Sequence, residues 1–218
     1  MKRMCALTLA ALLCSSSSFA QEPRIPSLWD SRERIERPSV SDLPRLRFLT
    51  TVDFAPFNTL GADNQLTGFH VDLARDICRH LQLDAVCQIQ ALPWDELVPA
   101  LEAGEGEAII AGLAPTAELR ERLAFSRPYL KFPARFVAAR ATALAEPLYR
   151  SLADRRVGVV AGSAHEAMLE EQFPAATPVP FSRADWMLRD LKAGRIDAAF
   201  ADGMRIAFWL AGDEPEDC

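Results

Sequence analysis

Short apolar runs alternate with stretches of helical period along most of this chain, and that alternation restricts the folds open to it. LRFLTTV, from residue 46, is apolar and β-branched, as a strand requires. VDLARDICRHLQL, from residue 71, repeats Val71, Ala74, Ile77, Cys78 and Leu81 at helical spacing. AVCQIQAL alternates like a strand, and PWDELVPALEAG reads as a helix ending at Gly104, with Pro99 as a kink. EAIIAGL and RVGVVAG are short buried strands. The helix after the second opens on Ser163 and Glu166, the spacing of a capping box. SRADWMLRDLKAG repeats that arrangement with Ser182 and Asp185, ahead of the strand RIDAAFA. Such alternation specifies an α/β fold with largely parallel sheets.

There is also an internal echo. LEAGEGEAIIA (101–111) and LKAGRIDAAFA (191–201) agree at five of eleven positions, each a helix end, a glycine stop and a strand of small residues. Biased composition is one source of such agreement. Two similar lobes, 46–138 and 139–218, joined near RFVAARATA and facing each other across a cleft, are the other. In open α/β sheets ligands gather at the carboxyl ends of strands, where loops and helix N-termini converge.

The flanks read differently. Residues 1–20, MKRMCALTLAALLCSSSSFA, follow the charged, apolar and small-residue order of a secretory signal peptide, with cleavage expected after Ala20. Its apolar core is too short to span a bilayer. Cys14 raises a lipoprotein site, but Leu13 before it is bulky, so soluble export is the reading. Residues 21–45 hold four prolines and many charges without a period, which suggests an irregular leader arm. Without the signal, 22 basic residues face 30 acidic ones, a net charge of −8. An acidic exported chain with no basic run excludes nucleic acid and anionic membrane as expected partners.

Catalytic signatures are scarce. HExxH, GxSxG, a P-loop and CxxC are all absent, and His70, His80 and His165 show no metal-ligand spacing, so neither a metal nor a cofactor is expected. Ser163 and His165, two apart at a helix start, point in different directions, which favours capping over nucleophilic chemistry. Cys78 and Cys87 flank a helix end and the next strand. Export favours a disulfide between them over two buried thiols, while Cys218 has no evident partner.

Taken in order, LRFLTTVDFAPFNTLGADNQLTGFHVDLARDIC, PWDELVPALEAGEGEAIIAGLAPT, LAFSRPY, RVGVVAGSAHEAM and LKAGRIDAAFAD resemble the family 3 solute-binding proteins of amino-acid ABC importers. The pattern is most similar to the histidine-binding and lysine/arginine/ornithine-binding members, and it runs from about Leu46 to about Gly212. The resemblance implies a two-lobe, type II periplasmic-binding-protein-like fold. It implies no enzyme activity, a small polar or zwitterionic ligand, monomeric action in the periplasm, and delivery to ABC transporter membrane subunits. It also calls for a strand returning from lobe 2, a second hinge crossing and closing segments of lobe 1. The sequence stops at DEPEDC, so the expectation is an incomplete lobe 2: a fragment, a truncated product or a split subunit.

Position by position, the resemblance implies a pocket. Asp202 matches the carboxylate that holds a ligand ammonium, an ordinary helix N-cap being the alternative. Ser163 and the Ala164 N–H match a helix N-terminus that receives a carboxylate. Phe54 and Trp94 match facing walls, with core packing as the alternative. Thr116 is present where the family carries Thr-x-x-Arg, but the arginine falls one residue late, at Arg120, a rotation of about 100° on a helix. Ala114 replaces a hydroxyl residue, and Thr51 stands where basic-amino-acid binders carry an acid. The same resemblance leaves two other functions to weigh: a ligand-binding sensory module, and a dehydratase-like enzyme in which Glu96 is the available acid.

Overall fold

The computed structural model describes residues 39–40 and 42–212. The expected signal peptide, most of the leader arm and Cys218 lie outside the described residues.

The first sheet is parallel and has three strands, with β1 (Leu46–Thr50) between β5 (Cys87–Ala91) and β6 (Ala108–Ile109). Leu46 pairs with Cys87 and Thr50 with Ala91, while Phe48 pairs with Ala108. Successive residues of β1 serve different cores: Phe48 packs with Ala74, Cys78 and Ile110, and Leu49 with Leu97, Ala100 and Ala111. A strand buried on both faces explains the adjacent apolar residues Phe48 and Leu49 in its sequence. Between β1 and the helix α1 (Phe69–Leu81) the chain adds an antiparallel meander, β2 (Asp53–Phe54), β3 (Asn58–Leu60) and β4 (Leu66–Thr67). Gly68 joins the meander to α1 at φ 115°, where an added Cβ would lie 2.5 Å from the Phe57 carbonyl oxygen. No other residue fits there without moving backbone.

The expected helix from Pro93 divides into a 3-10 turn, Trp94–Glu96, and α2 (Leu97–Glu102); α3 (Ala117–Arg122) follows β6. The second sheet has the order β7-β10-β8-β9, from β7 (Ala134–Val137), β8 (Arg156–Val160), β9 (Thr177–Phe181) and β10 (Ala198–Asp202). Only β7 runs antiparallel. Because Ala134–Val137 pairs with β10, the second sheet begins ahead of the boundary at residue 138 that the sequence suggested. Around this sheet lie α4 (Leu148–Ser151), α5 (Ala164–Gln172), α6 (Ala184–Lys192) and α7 (Gly203–Leu210). Ala198 and Phe200 of β10 face Val157, Val159 and Leu169, while Ala199 and Ala201 face Met187, Leu191 and Ile206.

The internal echo is structural. Gly104 and Gly194 both take positive φ, at 73° and 68°. After α2, Gly104 N–H donates to Leu101 and Glu105 N–H to Ala100; after α6, Gly194 N–H donates to Leu191 and Arg195 N–H to Asp190. This is one Schellman stop used twice.

Capping follows the sequence reading at α5, departs from it at α6 and adds a threonine cap at α3. Thr116 Oγ accepts from Leu119 N–H, and Ser163 Oγ accepts from Glu166 N–H at 3.3 Å. The Glu166 carboxylate reaches Gly162 N–H rather than that of Ser163, so the box is shifted by one residue. Ser182 does not cap α6: the N-cap is Arg183, whose guanidinium holds Asp185. An arginine within reach outcompetes the weaker neutral donor for that carboxylate.

Cys78 and Cys87 form a disulfide with Cα atoms 6.1 Å apart, tying α1 to β5. Closing a loop this short stabilises by about 2–3 kcal/mol through the unfolded chain. Peptide mapping without reductant should recover the two cysteine peptides linked. The Cys78→Ala, Cys87→Ala double variant should lose about that stability in urea melts; an unchanged midpoint would show the bond to be energetically silent.

Beneath the meander, Asn58 donates to Thr51 Oγ1, and its carbonyl lies 2.8 Å from His70 Nδ1. His70 is 2% exposed, and burial lowers its pKa to about 4. The unfolded chain takes up this proton near pH 6.5, whereas the folded protein resists it until about pH 4. Stability is therefore complete above that window and falls by roughly 2–3 kcal/mol as pH drops through it. Urea melts between pH 7 and 4 should show the decline, and His70→Gln should flatten it.

Candidate functional site

Asp202 is the last residue of β10 and the N-cap of α7, so strand geometry delivers its carboxylate to the carboxyl edge of the second sheet. Its side chain makes no capping hydrogen bond, which removes the ordinary helix-cap role. It is 29% exposed, and its Oδ1 lies 3.8 Å from His165 Nε2. His165 rests edge-on against Phe200 with ring centroids 5.4 Å apart. Burial lowers the pKa of His165; Asp202 pulls it up and Arg205 pushes it down again. Ser163 and Ala164, immediately before His165, form the N-terminus of α5, where amides lack intrahelical acceptors.

Across from this group stands Phe54, on β2. It is 4% exposed, with its ring 4.8 Å from that of Phe57 and 6.1 Å from that of His70. Gly112, at φ 77°, lets the chain pass so close that an added Cβ would lie 2.9 Å from Phe54 Cε1. Arg205, from the first turn of α7, links the two sides. Its guanidinium carbon sits 4.2 Å from the centre of the Phe54 ring, and its Nη1 donates to the Asp53 carbonyl. Burial pushes this guanidinium below its ordinary pKa, against the pull of the Asp53, Asp202 and Asp185 carboxylates.

Phe54, Asp202 and the α5 terminus bearing Ser163 and Ala164 thus connect through Arg205 and His165. The other expected residues are less engaged. Trp94 is half-buried against the Leu49, Leu97, Ala100 and Ala111 cluster. Ala114 is exposed and accepts from Thr116 N–H. Arg120 is exposed, donates to the Pro115 carbonyl and lies over the Phe125 ring at 5.8 Å. Thr51, where an acid would stand in basic-amino-acid binders, is buried and committed to Asn58.

Sequence reasoning missed Arg205 and gave His165 no part. A signal for Arg205 was available in DGMR. Three residues past an N-cap aspartate is the position where a capping box carries Glu or Gln, and an arginine there opposes the helix dipole.

Known proteins share this arrangement of elements. The model of bacterial extracellular solute-binding proteins, family 3, matches residues 46–185. A putative ABC transporter arginine-binding protein 2 of Escherichia coli K12 is 33% identical over 174 residues, covering 78% of this chain and 68% of the relative. The histidine-binding periplasmic protein of Salmonella typhimurium is 31% identical over 204 residues, covering 93% and 70%. Among solved structures, a Salmonella typhimurium periplasmic binding protein described for its high arginine specificity superposes with a TM-score of 0.71 at 29% identity, covering 78% of this chain and 74% of that one. The chain belongs to the bacterial extracellular solute-binding proteins, family 3.

Proposed function

We propose that this chain is the solute-capturing subunit of an ABC importer, taking up an amino acid or a related small organic ion in the periplasm. The observation that carries the reading is the Asp202 carboxylate: it stands at a strand's carboxyl end, makes no capping bond, and lies 3.8 Å from His165 in the first turn of α5. A carboxylate there suits an ammonium group, and the helix-terminal Ala164 N–H beside Ser163 suits a carboxylate, so together they fit a zwitterion. The relatives named for arginine and histidine binding, and for ABC transport, support the same class. Export through a signal ending at Ala20 fits that compartment.

In this reading the two sheets are the cores of two lobes, the second beginning ahead of Ala134, and a single chain delivers its ligand to the membrane subunits. Trp94 supplies a wall for the ligand's remainder, with Ala114 at the rim, while the buried Phe54 ring backs the guanidinium of Arg205. Arg120, already occupied by Pro115 and Phe125, contributes less than a bidentate anchor would.

A thermal-shift screen against amino acids, amines and small carboxylates should find a ligand, because one held at 100 times its Kd adds about 2.7 kcal/mol. Mass spectrometry should recover that ligand unchanged. Asp202→Ala should then weaken binding by about 2–5 kcal/mol in titration calorimetry while the fold persists. Arg120→Ala should cost less. Dominance of Arg120 with Asp202 silent would overturn this assignment of the pocket.

A further inference from the structure

The sheet-to-sheet bridge made by Arg205 has an unusual balance of partners. A guanidinium carries five N–H donors. Among the described residues one hydrogen bond is made, to the Asp53 carbonyl, and no carboxylate approaches within ion-pair distance. Its face is covered by Phe54 at 4.2 Å. The group is therefore part-buried, stacked on one side, and left with donors that need an acceptor. No buried side-chain nitrogen in the described residues lacks a partner, so those remaining donors border accessible space. They lie on the same helix turn as Asp202, which places them beside the proposed ammonium site.

We propose that Arg205 determines ligand class in this cleft: its guanidinium fills the cation position on the Phe54 ring, turning away ligands with a cationic side chain and receiving the oxygen of an amide or carboxylate side chain. The inference rests on the solute-binding reading above and separates this chain from the cation-binding relatives it resembles. A second cation on the same ring face meets like-charge repulsion in a desolvated place, where a wrong charge is costly. An amide or carboxylate oxygen instead satisfies the idle donors, and a guanidinium presents them in a planar fork suited to it.

Titration calorimetry with L-glutamine, L-glutamate, L-arginine and L-lysine tests this on the wild type, Arg205→Met and Arg205→Lys. Wild type should bind glutamine or glutamate at least about tenfold more tightly than arginine or lysine, a difference of about 1.4 kcal/mol. Arg205→Met keeps an unbranched, flexible side chain but is shorter and removes the charge, so it should lose that preference and gain affinity for arginine. Arg205→Lys should keep the order. Thermal melts confirm that each variant folds. Wild type preferring arginine or lysine, or an unchanged order in Arg205→Met, overturns the proposal; if Asp202→Ala still abolishes that binding, the solute-binding reading survives alone. Failure of wild type to bind any of the four overturns the proposal, whereas the solute-binding reading falls only if the wider screen of amino acids, amines and small carboxylates finds no ligand.

Discussion

In a parallel strand pair the hydrogen bonds are evenly spaced and slanted, and no hairpin turn dictates which residue faces which. Here a carboxylate sets that register at the entrance to each sheet. Glu107, one residue before β6, accepts from Arg47 N–H across 60 residues of sequence and donates its own N–H to the Arg47 carbonyl. Asp197, one residue before β10, does the same with Arg156 across 41 residues. Each acid is also gripped by a guanidinium, Arg45 in one case and Arg156 in the other, and the pKa of each carboxyl is lowered chiefly by that hydrogen bond. Exposed ion pairs by themselves contribute little. The value of these lies in position, since a one-residue slip would break the clamp and present each face's residues to the wrong core cluster.

The clamps also explain why the echo in sequence amounts to more than shared composition. Schellman glycine, acidic residue and small-residue strand recur in that order because each does a fixed job. The glycine ends the helix with a left-handed residue, the acid seizes an amide at the start of the neighbouring strand, and small side chains let a strand be covered on both faces. Ala198, Ala199 and Ala201 are buried between two different clusters, which larger residues on both sides would force apart.

What the sequence made legible was whatever repeats over several residues. The α1 stripe of Val71, Ala74 and Cys78, the strands β1, β8 and β10, and the Cys78–Cys87 bridge all appear where pattern placed them. The meander escaped notice because strands of two and three residues leave no period to detect. Pro178 and Pro180 disguised β9. As an edge strand paired only with β8, it can carry proline at the two positions whose N–H groups are not needed for the ladder. Of the candidate site, the resemblance singled out Phe54 and Asp202, whereas Arg205 depends on a contact between residues 152 apart. No local pattern reports such a pairing.

Division of labour along the strands follows. The clamps stand where β6 and β10 begin, and the exposed chemistry stands where β10 ends. At that far end the chain makes choices that local stability disfavours: an aspartate that does not cap its helix, and an arginine in a helix's first turn. A positive charge at that position opposes the helix dipole by about 0.3–1 kcal/mol, and desolvation adds to the cost. Carboxylates of Asp53, Asp202 and Asp185 offset part of it through space. A sheet whose register is already secured at its other end tolerates such conflicts.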